Sequence, residues 1–212
     1  ILGVVDVMVN GGQSRDEVNG VAVREILDRE FIDEEGECDA NIEDPDDGDW
    51  ELTEITYDWY AQDSAGNVWY FGEDTIAFDH EDCDNWVNEE DPEEGCRDGA
   101  WAAGEDVAGT GSIAEEGIIM LANPEKGQFY LQEYYEGEAE DMGKILNFKD
   151  MDTYFGEHCL VTKEWVPLEG GSVEHKYYCE GYGLVLIEGI AGGPVVFEEL
   201  VYFHAGPAPS IE

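Results

Sequence analysis

Apolar and polar residues alternate with period two through most of the chain. The alternation is clearest over Tyr57–Thr75, YDWYAQDSAGNVWYFGEDT. Tyr57, Trp59 and Ala61 alternate with Asp58, Tyr60 and Gln62, and Val68 and Tyr70 alternate with Asn67, Trp69 and Phe71. Period two in aromatic and β-branched residues predicts strands. Between the two runs, Asp63-Ser64-Ala65-Gly66-Asn67 predicts a type I turn closed by Gly66 in the left-handed region. The expected hairpin sets Trp59 and Tyr60 near Trp69 and Tyr70. Cross-strand aromatic pairs each contribute roughly 0.2–1 kcal/mol over Ala–Ala, so this hairpin is the expected centre of a sheet.

The same reading extends outward. Ile1–Val9 is an almost wholly apolar strand, followed by the turn signal Asn10-Gly11-Gly12. Val18–Ile32 reads as a second strand, with Asn19-Gly20 in or near a turn; a helix over Val21–Arg29 rests on propensity alone. Trp50–Gln62 and Val68–Phe78 are the arms of the hairpin. Ala100–Ala103, Gly117–Leu121 and Gln128–Tyr135 follow as strands. Ala139–Ile145 is the one segment read as a helical turn. Cys159–Pro167 and Ser172–Tyr178 form a further hairpin about Leu168–Gly171, then come Gly183–Glu188 and a last strand, Pro194–Phe203. Many short strands with Gly-rich turns predict an all-β, antiparallel protein: a curved sheet or an open barrel or sandwich-like domain with little helix. Residues 1–190 are expected to form the β domain, with acidic insertions at about 33–49 and 79–99. Residues 191–212 would be a C-terminal strand and extended tail.

Charge changes the picture most. The 212 residues carry 53 Asp and Glu against 9 Lys and Arg, a formal charge of -44. Such self-repulsion opposes compaction, so the chain must tolerate it in salt or recruit cations. The 6 Trp, 11 Tyr and 8 Phe argue against disorder, because disordered chains are poor in aromatics. Nucleic acid and anionic membrane surfaces are not expected partners, since both select positive charge. No apolar run approaches the roughly 20 residues of a membrane-spanning helix.

Three stretches carry a resemblance: YDWYAQDSAGNVWYFGEDT, GIIMLANPEKGQFYLQEYYEGEAEDMGKIL and HCLVTKEWVPLEGGSVEHKYYCEGYGLVLIE. In this order, from about Gly3 to Glu188, they resemble a family of uncharacterised secreted bacterial β-proteins. The resemblance implies a fold and a secreted location, and no activity. Family members carry a further strand before the position of Ile1, which implies an unfilled place beside Ile1–Val9. The acidic loops with Cys38 and Cys83–Cys96, and the part after Gly189, exceed the family pattern.

Cys159 and Cys179 lie symmetrically about the Glu169-Gly170 turn. Opposed residues in an antiparallel hairpin sit within disulfide range. Cys83 and Cys96 bracket an acidic loop and form a second candidate bridge; Cys38 could instead pair with either. Five cysteines in this setting predict an oxidising, extracellular location. A reactive thiolate needs positive neighbours, which this chain lacks.

Two acidic stretches are candidate metal sites. In EEGECDANIEDPDDGD, Asp44, Asp46, Asp47 and Asp49 crowd around Pro45 and Gly48; the second stretch offers Asp79, Asp82 and Asp84. Dense hard oxygen ligands select Ca²⁺, although Gly48 stands one position early for an EF-hand loop. The competing reading is a solvated acidic surface. Zinc at His80, Asp82 and Cys83 is disfavoured if Cys83 is in a disulfide.

No nucleophile elbow or phosphate-binding Gly loop is visible, and carboxylates are too many to single out a catalytic pair. The chain is therefore not expected to be an enzyme. His175 reads as a sheet histidine. Trp50, Trp86 and Trp101 could stack on glycans or pack beneath loops. The expected role is structural: copies of the chain joined by β-strand addition through Val4, Val5, Val7 and Val9 at one end and Val195, Phe197, Val201 and Phe203 at the other, with Ca²⁺ between. The alternative is a secreted calcium-dependent binding module for a small ligand or glycan.

Overall fold

A computed structural model describes residues 2–9, 14–33, 50–78, 87–88, 94–97, 99–151, 158–168, 170–192, 197–200 and 202–203. These residues form strands and turns, with no α-helix among them. The strands in chain order are β1 (Leu2–Val9), β2 (Glu17–Val18), β3 (Val21–Ala22), β4 (Arg24–Asp33), β5 (Glu51–Gln62), β6 (Val68–Ala77), β7 (Cys96–Arg97) and β8 (Trp101–Ala102). They continue with β9 (Gly117–Met120), β10 (Phe129–Leu131), β11 (Met142–Lys149), β12 (Cys159–Trp165), β13 (Val173–Cys179), β14 (Gly183–Ala191) and β15 (Phe197–Glu199). The fold is all-β and antiparallel, and no described sheet closes into a barrel.

The chain divides into two compact units, with the β5–β6 turn, Gln62–Tyr70, assigned to the second. In the first unit the strand order is β1-β4-β5-β6-β7, and β8 also pairs with β6. Trp59, Trp101, Phe31, Leu27 and Phe71 are buried there. Leu27 and Phe31 lie on β4 and Trp59 on β5, where Thr56 and Asp58 of the opposite face are buried as well. Gly72 lets β8 approach closely. Its φ is +120°, and a Cβ there would lie 2.2 Å from the Trp101 carbonyl oxygen. The Val18–Ile32 run is not one strand. It breaks at Asn19-Gly20, where both residues have positive φ, into the β2–β3 hairpin and then β4. An Asn-Gly pair favours that tight turn over an extended chain.

In the second unit, β10-β11-β12-β13-β14-β15 run in sequence order, each antiparallel to the last. β9 pairs with the start of β6, Val68↔Met120 to Tyr70↔Gly117. Tyr130, Ile145 and Leu160 form one cluster, with Ile118, Met120, Leu121 and Tyr178 against it. A second cluster gathers Cys159, Val161, Tyr177, Cys179, Val185 and Leu186.

Three sequence expectations change here. Ala139–Ile145 is not a helical turn: Ala139 bridges Tyr135, and Met142–Lys149 is strand β11. Ladder partners on both sides, β10 and β12, outweigh a weak local preference. Among the described residues the last strand is Phe197–Glu199, ending before Leu200 rather than at Phe203, and it has an in-chain partner, β14. The Gln128–Tyr135 strand shortens to Phe129–Leu131, with Tyr134 and Tyr135 held in isolated bridges.

Candidate functional site

The strand expected to lie open is an end strand. β1 pairs with β4 from Leu2↔Asp33 to Val9↔Ile26, and no described residue pairs with its other side. Val7 is 56 % exposed. The strand LGVVDVMV carries one charge, Asp6. Natural edge strands are usually blunted by charge, Pro or bulges, and β1 has little of this protection. At the other end, β15 pairs with β14 through Phe197↔Glu188. Phe203 is exposed, with its ring edge-on to Tyr182 at 5.1 Å. Val195 and Val201 lie outside the described residues.

The hairpin bridge is present. Cys159 and Cys179 are disulfide-bonded with their Cα atoms 4.0 Å apart, fully inside the second unit. Cys96 is buried and also disulfide-bonded; Cys38 and Cys83 lie outside the described residues. So do all the proposed metal ligands: Asp44, Asp46, Asp47, Asp49, Asp79, Asp82 and Asp84. Among the described residues no group of three or more His, Cys, Asp or Glu is placed to hold a metal ion.

Three carboxylates are buried among the described residues, Glu25, Asp58 and Glu164, and the alternation pattern does not single out Glu25 or Glu164. In the first unit Glu25, opposite Trp59 on neighbouring strands, is 4 % exposed. It accepts hydrogen bonds from Ser14 N at 2.8 Å, from the Ser14 hydroxyl, and from Trp59 Nε1 at 3.2 Å. The Arg15 guanidinium lies over the Trp59 ring at 4.7 Å and pairs with Glu105 at 2.6 Å. In the second unit Glu164 is 5 % exposed. Its Oε1 accepts from Thr162 Oγ1 at 2.6 Å and Tyr178 Oη at 3.1 Å, and its Oε2 lies 3.3 Å from Lys176 Nζ. Burial pulls the Lys176 ammonium toward neutrality, but Glu164 and Glu174 outweigh it and its pKa rises. Burial raises the Glu198 carboxyl, with Lys176 opposing and Glu174 adding to that rise. Burial, helped by the Glu164 charge, likewise pushes the Tyr130 phenol upward. In CLVTKEW both alternating faces mix polar and apolar residues, so the strand itself does not say that Glu164 goes inside.

The histidines form no catalytic arrangement among the described residues. His175 stands between Lys163 and Glu188 on neighbouring strands, as a sheet histidine does. His158 stacks on Phe148 at 5.0 Å. Trp50 and Trp101 are buried and so pack inside rather than present faces to a sugar; Trp86 lies outside the described residues. No described helix is long and apolar enough to cross a membrane. No family model, curated protein or solved structure matches the chain.

Proposed function

We propose that the chain is a structural subunit of an extracellular, calcium-stabilised assembly joined by β-strand addition along β1. The observation that carries this reading is the outer side of β1. It is an apolar eight-residue edge with a single charge, no described partner on one side and an exposed Val7. An added strand would gain main-chain hydrogen bonds and cover the valines. Burying one Val fully contributes roughly 1.5–3 kcal/mol, so several together offset screened repulsion between subunits. If the added strand comes from a different surface of the next copy, the contact is head-to-tail and gives an open filament. The disulfides support an oxidising location. Calcium enters through the acidic stretches, where a divalent cation converts repulsion between neighbouring carboxylates into coordination.

The test is light scattering of the purified full-length chain at millimolar Ca²⁺, before and after chelation, beside Val7→Asp. Polymer that disappears with chelation and in Val7→Asp is the expected result. A chain that stays monomeric throughout would remove the assembly reading and leave a monomeric binding module in its place.

A further inference from the structure

Cations are scarce in this chain, and two of the nine face each other across a strand pair. Lys144 and Lys163 are directly opposed on β11 and β12; Lys149 lies at the far end of β11, opposed to the buried Cys159. Each ammonium rests over an aromatic ring. Lys144 lies 4.5 Å from the Phe129 centroid, Lys163 is 5.0 Å from Trp165, and Lys149 is 5.3 Å from Tyr177. Phe129 and Trp165 are themselves edge-on at 6.2 Å. Phe129 is 58 % exposed, so this part of the face is open to solvent among the described residues.

What is missing is the counter-charge. The chain has 53 carboxylates, yet among the described residues none forms an ion pair with Lys144, Lys149 or Lys163. The nearest carboxylate along the row is Glu188, opposite His175, and it accepts the Tyr177 hydroxyl instead. Like charges directly opposed across strands destabilise a sheet. In a protein this acidic, one substitution near the pair would neutralise it. The rings hold the ammonium groups in place by cation–π attraction.

We infer that this lysine–aromatic face of the second unit docks an acidic segment of a second copy of the chain. The chain itself supplies fitting occupants. Residues 34–49, EEGECDANIEDPDDGD, hold no cation. An extended segment presents alternate side chains about 7 Å apart, a spacing that lets successive carboxylates reach successive rows of the sheet. Docking would turn the uncompensated Lys144–Lys163 repulsion into attraction, and would let subunits of net charge -44 meet at one complementary place. The inference rests on the self-assembly proposed above but concerns a different surface from β1.

The test uses a peptide of residues 34–49 carrying Cys38→Ser, titrated calorimetrically into the full-length chain at low salt without divalent metal. Binding that weakens with added salt is expected. Lys144→Glu/Lys163→Glu should weaken it by roughly ten-fold or more, and the milder Lys144→Gln/Lys163→Gln by less. Circular dichroism of each variant checks the fold. Val7→Asp should abolish polymer but leave peptide binding intact, which separates this site from strand addition. Absent peptide binding, or equal binding by wild type and both lysine variants, overturns the inference. An oligouronate that binds where the peptide does not also overturns it, and assigns the face to an acidic glycan.

Discussion

Trp69 donates its indole N–H to Asp63 Oδ2 at 3.0 Å, tying the turn of the β5–β6 hairpin to the strand that leaves it. Asp63 also accepts from Ala65 N at 2.8 Å, Asn67 N at 3.0 Å and Asn67 Nδ2 at 2.8 Å. The Trp69 and Asn67 bonds hold its carboxyl well below the usual carboxylate range. Gly66, at φ +97°, closes the turn onto the Asp63 carbonyl oxygen.

Asp63→Ala should therefore loosen the hairpin and lower the melting temperature, and Asp63→Asn should do so less, because the amide still accepts through one oxygen. The pH sign follows from linkage. A carboxyl whose folded pKa lies below its unfolded value stabilises fully above the unfolded value and loses that contribution as pH falls further. In wild type the turn should weaken below about pH 4, the ordinary range of a carboxylate, and this acid step should vanish in Asp63→Ala. Trp69 fluorescence against pH reads both.

The Cys159–Cys179 bridge closes a 20-residue separation. A loop of that size is worth about 3 kcal/mol in the chain-entropy model. Cys159→Ser/Cys179→Ser should lower the urea midpoint accordingly. Non-reducing peptide mapping should recover the two cysteines in one linked fragment; a free Cys159 thiol would contradict the bridge.

Glu164 and Lys176 form an ion pair with the carboxylate side 7 % and the lysine side chain 27 % exposed. Removing one partner strands the other, which for buried pairs costs about 3–5 kcal/mol. Lys176→Met should fall in or just below that range, since its ammonium is partly solvated. Glu164→Leu/Lys176→Met should be closer to wild type than either single change. Urea denaturation of the full cycle decides it, and additive losses would show that the two groups act independently.

Gly72 faces the Trp101 carbonyl with no room for a side chain, at a φ of +120°. Gly72→Ala should cost more than about 3 kcal/mol, combining left-handed strain with displaced backbone. Near-ultraviolet circular dichroism should report the loss, because Trp101, now 1 % exposed, would be pushed from its place.

Much of the architecture was legible without coordinates, because it rests on local rules. Period two over Tyr57–Ala77 predicts two strands, and Asp63 to Asn67 predicts the turn that joins them. The symmetry of Cys159 and Cys179 about one turn predicts their bridge, since an antiparallel hairpin fixes its own register. Tertiary contact decided the rest. Met142–Lys149 is a strand because β10 and β12 flank it, although Ala139–Ile145 reads locally as a helical turn. Asn19-Gly20 splits one apparent strand into a hairpin and a strand. The placement of charge was least visible. Thr162 and Glu164 turn inward beside Lys176, and Lys144 meets Lys163, only through the registers of neighbouring strands. Alternation along one strand says that two faces exist; which face is buried, and which charges meet across it, depends on neighbours the strand does not encode.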